Sequence, residues 1–154
     1  GATCAAWASF RPDWPPFLVQ RFAIDARPLD PEGILGRRFG AHSPFDAIVL
    51  LPPGGDAWSF KLHARRAVVV DTKSTPFTDR GLLEWKSRME AVLGVPLIRH
   101  LDPFEAWRVR TPEQLRTVAV HYGARYVLTR DDWHPQLPGH RIDQEQGWTL
   151  WQLD

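Results

Sequence analysis

The sequence predicts a small three-layer α/β domain with a mostly parallel central sheet and a C-terminal antiparallel or edge strand. Three observations lead there. Short, nearly uniform apolar runs occur at 47–51, 67–70 and 126–129, a pattern that suits strands covered on both faces. Segments with helical spacing fall between these runs, which implies right-handed crossovers joining parallel neighbours. The length of 154 residues allows one such core and is too short for two.

The elements follow in order. Residues 1–45 read as an irregular lead-in packed on the domain, and 46–154 as the α/β domain itself. Pro12, Pro15 and Pro16 interrupt the lead-in, yet Trp7, Phe10, Trp14, Phe17, Leu18 and Val19 are too apolar for a solvated tail. An edge strand is expected near Phe17 to Ile24. Asp30 before Pro31 is an N-cap with proline at the first helical position, so a short helix should run to Phe39 and stop at Gly40.

The run ending at Leu51 closes on Pro52, Pro53, Gly54 and Gly55. Asp56 then caps a helical segment reaching Arg65, with Ala57, Phe60 and Ala64 on its apolar side. A second strand, Ala67 to Val70, ends at Asp71. Thr78 or Asp79 opens a longer helix in which Leu82, Trp85, Met89, Val92 and Leu93 recur at three- and four-residue steps, and Gly94 and Pro96 end it. Thr111, Pro112 and Gln114 supply a capping box for a helix striped by Leu115, Val118, Ala119 and Tyr122, with Gly123 as its stop. Tyr126 to Thr129 is the third strand, and alternation over Trp148 to Leu153 marks the last. The whole pattern reads as Rossmann-like.

Composition narrows the function. Nineteen basic and eighteen acidic residues leave a formal charge of +1, which argues against a polyanion binder and so against nucleic acid. The single cysteine, Cys4, excludes an internal disulfide and a thiolate zinc cluster. No apolar run reaches the roughly 18 residues a membrane span requires. The chain starts at Gly1 rather than methionine, from which a processed or excised piece of a longer protein is expected. Eight tryptophans are many for this length, and tryptophan serves cores and contact surfaces alike.

Ligands of open α/β sheets sit beyond the carboxyl ends of the strands, where three loops should gather. The loop from Pro52 to Asp56 has neither the dinucleotide glycine spacing nor a Walker lysine. In the loop from Asp71 to Pro76, a carboxylate and the ammonium of Lys73 leave a strand two residues apart, able to pair with each other or with a polar ligand. The loop from Thr129 to His134 holds Arg130, Asp131, Asp132 and His134. Neighbouring aspartates in extended backbone point to opposite faces, so no metal set is expected, and nothing calls for a cofactor. Arg65 and Arg66 precede the second strand, where they can grip an anion or cap a helix end. Trp85 and Arg88, three apart on one helix, can face a common neighbour. The candidate ligand-binding residues are therefore Asp71, Lys73, Arg65, Trp85, Arg88, Arg130, Asp131 and His134. No nucleophile motif is present, and no catalytic residue is assigned.

Pro52, Pro53, Phe60, Arg65 or Arg66, Asp71, Lys73, Pro76, Phe77, Glu84, Trp85 and Arg88 form a pattern that resembles a soluble C-terminal domain of unknown function. That domain occurs in bacterial polytopic membrane proteins related to GT-C glycosyltransferases. Lys61 departs from it, standing where the pattern has arginine. Tyr122 to Leu128 and Trp148 to Leu153 resemble its later strands. The resemblance implies a non-catalytic accessory or recognition domain on the periplasmic side of the inner membrane. It would be tethered to membrane-spanning portions of its own parent chain and in contact with an envelope glycan or a lipid-linked sugar. The alternatives are a stand-alone small-molecule enzyme with a cleft at the strand ends and, disfavoured by charge, a nucleic-acid-binding module.

Overall fold

A computed structural model describes residues 29–54, 57–97 and 102–154. The expected strand near Phe17 to Ile24 and the expected cap Asp56 lie outside the described residues. In chain order the elements are α1 (Pro31–His42), β1 (Ile48–Leu50), α2 (Trp58–Ala64), β2 (Ala67–Val68), α3 (Asp79–Leu93), α4 (Pro103–Arg108), α5 (Pro112–His121), β3 (Tyr126–Arg130), β4 (His140–Glu145) and β5 (Trp148–Gln152).

The strands form one mixed sheet in the order β2-β1-β3-β5-β4. β1 runs parallel to β2 and to β3, whereas β5 is antiparallel to both β3 and β4. This corrects the expected architecture: with half of its pairings antiparallel the sheet is not mostly parallel, and the fold is α+β rather than Rossmann-like. Two elements are responsible. β4 is a polar edge strand, and pairing with it puts β5 inside the sheet instead of at its rim. The apolar run at 67–70 becomes the opposite edge, with Ala67 exposed and only Val69 and Val70 buried.

Helices cover both faces. On one face Leu50, Val69, Val127 and Trp151 meet Met89, Val92 and Leu93 of α3, Trp107 of α4, and Leu115, Val118 and Ala119 of α5. On the other, Val49, Leu51, Tyr126, Leu128 and Leu150 pack on Leu35 and Phe39 of α1 and on Phe60 and Ala64 of α2. Alternate residues of β1, β3 and β5 thus feed opposite cores, as the pleat requires.

The helix ends follow local chemistry. Asp30 Oδ1 accepts the Gly33 amide, Thr78 Oγ1 that of Gly81, and Thr111 and Gln114 complete a reciprocal capping box. Gly94 ends α3 in the left-handed region with φ 75°. Gly40 is not a stop, because α1 continues two residues beyond it. Gly36 and Gly40, four apart, lie against the backbone of Phe60 and Ala64, also four apart. A Cβ at Gly36 would sit 2.5 Å from the Phe60 carbonyl oxygen, and one at Gly40 2.6 Å from that of Ala64. These glycines let the backbones of α1 and α2 touch.

Candidate functional site

β1, β2 and β3 run parallel, so the chain after each leaves on the same side of the sheet. The centre of this region is Asp71. Its Oδ1 accepts the amides of Lys73 and Ser74, each at 2.7 Å, which closes an Asx-type turn. Its Oδ2 pairs with the Lys61 ammonium of α2, and Lys61 also donates to Ser74 Oγ at 2.7 Å. The Asp71 carbonyl accepts the Trp85 indole N–H of α3 at 2.8 Å. Burial by itself pushes the Asp71 carboxyl up. The hydrogen bonds from Lys61, Ser74 and Lys73 more than offset this and hold it below the usual 3.8. One residue therefore joins α2, the loop after β2 and α3, the first two through its carboxylate and the third through its backbone carbonyl.

Lys73 is different. Among the described residues its exposed ammonium has no carboxylate partner and lies 4.7 Å from the centre of the half-buried Trp58 ring, while Lys61 lies 5.4 Å from that same centre. Pro52, Gly54, Trp58, Lys61, Asp71 and Lys73 line a shallow surface dimple of about 10 Å³, room for about one water, so any ligand here would lie on the rim rather than inside it. At Gly54 an added Cβ would overlap the Phe104 ring, and Phe104 is 5.6 Å from Trp133. An aromatic strip thus extends from Trp58 past Phe104 to Trp133. Its far end carries Arg130, whose guanidinium lies 5.3 Å from Trp133 and 5.7 Å from Trp148 and pairs with Asp132 at 3.0 Å.

The remaining candidates brace the fold. Asp131 accepts hydrogen bonds from Thr149 Oγ1 and, at 2.7 Å, from Gln144 Nε2, tying the loop after β3 to the β4–β5 hairpin. Arg88 pairs with Glu84, reaches the Val69 carbonyl at 3.4 Å and lies over the Tyr122 ring. Arg65 is exposed in the left-handed region, φ 52°, as the C-cap of α2, and so sits at the opposite end of β2 from Asp71. Its neighbour Arg66 is the tied residue, donating to the carbonyls of Gly40, Ser43 and Pro44.

His134 is 3% exposed, between Thr129 Oγ1 at 2.8 Å and the Arg110 carbonyl at 2.9 Å. A carbonyl only accepts, so Nε2 carries the proton and Nδ1 accepts from Thr129. Burial pushes the imidazole pKa below 6.5, and the Arg110 contact only partly offsets this. Because the folded state resists protonation, the stability contributed by His134 is complete above pH 6.5 and is lost as pH falls below it. Urea unfolding at pH 7.5 and pH 5 should show a loss for the native chain that is smaller in His134→Gln, with a difference in slope of at most about 1.4 kcal/mol per pH unit. Equal slopes would remove the assignment.

Asp71, Lys73 and Trp85 are thus brought together, Arg130 and Asp131 stand along the same side, His134 lies beneath it, and Arg65 is elsewhere. The strip adds Trp58, Lys61 and Phe104. Lys61 was marked in the sequence only as a departure from a pattern, and nothing local marked Trp58 or Phe104. Among the described residues no His, Cys, Asp or Glu cluster could hold a metal ion. A wider groove of about 470 Å³ lies between α1 and the sheet, lined by Phe39, Tyr126, Ile142 and Leu150. It holds none of the candidates, and Arg38 on its rim is spent on Asp143, Glu145 and the Gln144 carbonyl.

Fold and site together define a mixed-sheet α+β domain with an aromatic, cation-bearing rim at the ends of three parallel strands. Among the described residues, no helix is long and apolar enough to cross a membrane. Residues 31–92 match the family model described as Domain of unknown function (DUF6798), and that description mentions neither membranes nor glycosyltransferases. No curated protein and no solved structure matches the chain.

Proposed function

We propose that this domain is a non-catalytic accessory and recognition module of a bacterial polytopic membrane protein related to glycosyltransferases. In this reading it sits on the extracytoplasmic side and contacts a glycan or lipid-linked sugar. The observation that carries the reading is the Lys73 ammonium, without a carboxylate partner among the described residues, beside the half-buried Trp58 on a rim continued by Phe104, Trp133 and Arg130. An ammonium beside an aromatic ring suits a sugar joined to phosphate: the charge meets the phosphate and the ring face meets the C–H groups of the sugar. Catalysis by Asp71, Lys73, Asp131 and His134 is less well supported. Both nitrogens of His134 are committed, and Asp71 and Asp131 serve separate structural networks.

Titrating the chain with a hexose 1-phosphate, followed by NMR shifts of the indole N–H groups, tests the reading. Lys73→Ala and Trp58→Ala should each weaken binding about tenfold, the scale of one partly desolvated cation contact. Binding that is absent, or indifferent to both substitutions, would overturn it.

A further inference from the structure

Phe77 is 105% exposed, Leu83 69% and Leu82 44%, and they lie in the loop leading into α3 and within that helix's first five residues. The tip is not a frayed end. Thr78 caps α3 through the Gly81 amide at 3.2 Å, and a Cβ at Gly81 would lie 2.8 Å from Pro76 Cβ, so the turn packs directly on the helix. A stiff turn therefore holds a phenylalanine wholly in water, where apolar surface is costly unless something covers it.

We infer that this tip seats in the interfacial region of an anionic lipid bilayer. Two features favour lipid over protein. The three side chains expose on the order of 400 Å², about half of what one partner contributes to a stable protein–protein interface, whereas a convex apolar tip needs no complementary groove in a bilayer. The flanking charge also fits. Arg80 and Lys73 are exposed and have no carboxylate partner among the described residues, and Lys86, loosely paired with Glu90 at 3.8 Å, is three residues beyond Leu83 on the same helix face. Asp79 opposes them, but its charge sits in the first turn of α3, where the helix dipole offsets it. The inference goes beyond the sugar reading and does not need it.

The test is sedimentation of the whole chain with vesicles of phosphatidylethanolamine and phosphatidylglycerol, and with vesicles of phosphatidylcholine. The chain should partition onto the anionic vesicles, and Phe77→Ser should lower that partitioning about tenfold with an unchanged melting temperature. Arg80→Gln should lower binding to the anionic vesicles alone, and Val120→Ser, at an exposed site on α5, should leave it intact. Equal partitioning of native chain and Phe77→Ser, or none by either, would overturn the inference. So would a concentration-dependent dimer abolished by Phe77→Ser, since a second copy would then be the occupant. The vesicles carry no sugar, so a failed sugar titration leaves this result standing, and the reverse also holds.

Discussion

Gly36→Ala is expected to destabilise the domain by about 1–3 kcal/mol, the range for forced overpacking of a tight contact, and Gly36→Val to leave it unfolded. Helix propensity alone predicts the opposite sign. Alanine in a helix interior should gain about 1 kcal/mol over glycine, so the experiment separates the two effects cleanly. The contact wins because the obstacle is backbone. The new Cβ would meet the Phe60 carbonyl oxygen at 2.5 Å and the Phe60 Cα at 3.0 Å, and no side-chain rotation relieves that. The two helices would have to separate, and their separation would open the core that Leu35, Phe39 and Phe60 share with Val49 and Leu128. Gly40→Ala should behave alike, and the double variant should cost more than either alone. Urea unfolding monitored by circular dichroism measures all three. A Gly36→Ala variant as stable as the native chain would show that the helices can part at no cost.

What the sequence made legible was local. Asp30 with Pro31, Thr111 with Gln114, and the glycines after α3 and α5 act within a few residues, and each helix end lies at or next to its signal. Gly40 shows the limit. A glycine that stops a helix and one that admits a neighbouring helix look identical in the chain, and only the spacing from Gly36 to Gly40 matched by Phe60 to Ala64 tells them apart. The strand β4 was invisible for a different reason. Its sequence is His-Arg-Ile-Asp-Gln-Glu, it faces solvent as an edge, and its one aliphatic residue, Ile142, is itself exposed. The turn into β5 uses Gln146 and Gly147 at φ 42° and 85°, without the asparagine or aspartate that usually announces such a hairpin. Missing β4 left β5 at an edge, and the sheet then read as mostly parallel. The candidate site was half legible. Asp71 and Lys73 stand at a strand end, where position alone nominates them. That Asp71 is committed to Lys61, ten residues back on α2, emerges only when the crossover folds, and burial of His134 beside Trp107 is likewise tertiary.

Asp71→Ala is expected to cost about 2–3 kcal/mol, because it removes a charge-assisted acceptor and strands the donors that converge on it. The Asp71 carboxylate and the Lys61 ammonium are 14% and 25% exposed, so water reaches the pair, and the cost falls below that of breaking a fully buried one. Asp71→Asn is the informative control. An asparagine keeps an oxygen for the Lys73 and Ser74 amides but gives up the charge facing Lys61, so it should lose about half as much. Acid should reproduce the charge effect in the native chain. The carboxyl is held below 3.8 in the folded state, so its contribution is complete above that value and is lost as pH falls through the lower, folded one. Unfolding free energies from pH 5 down to pH 2 should therefore fall less steeply in Asp71→Asn than in the native chain. The Asp71 carbonyl also holds the Trp85 indole, so loosening the turn should move that indole N–H resonance in Asp71→Ala. A variant that keeps the native Trp85 signal and the native acid slope would mean that the turn stands without its carboxylate, and that Lys73 is placed over Trp58 by something other than Asp71.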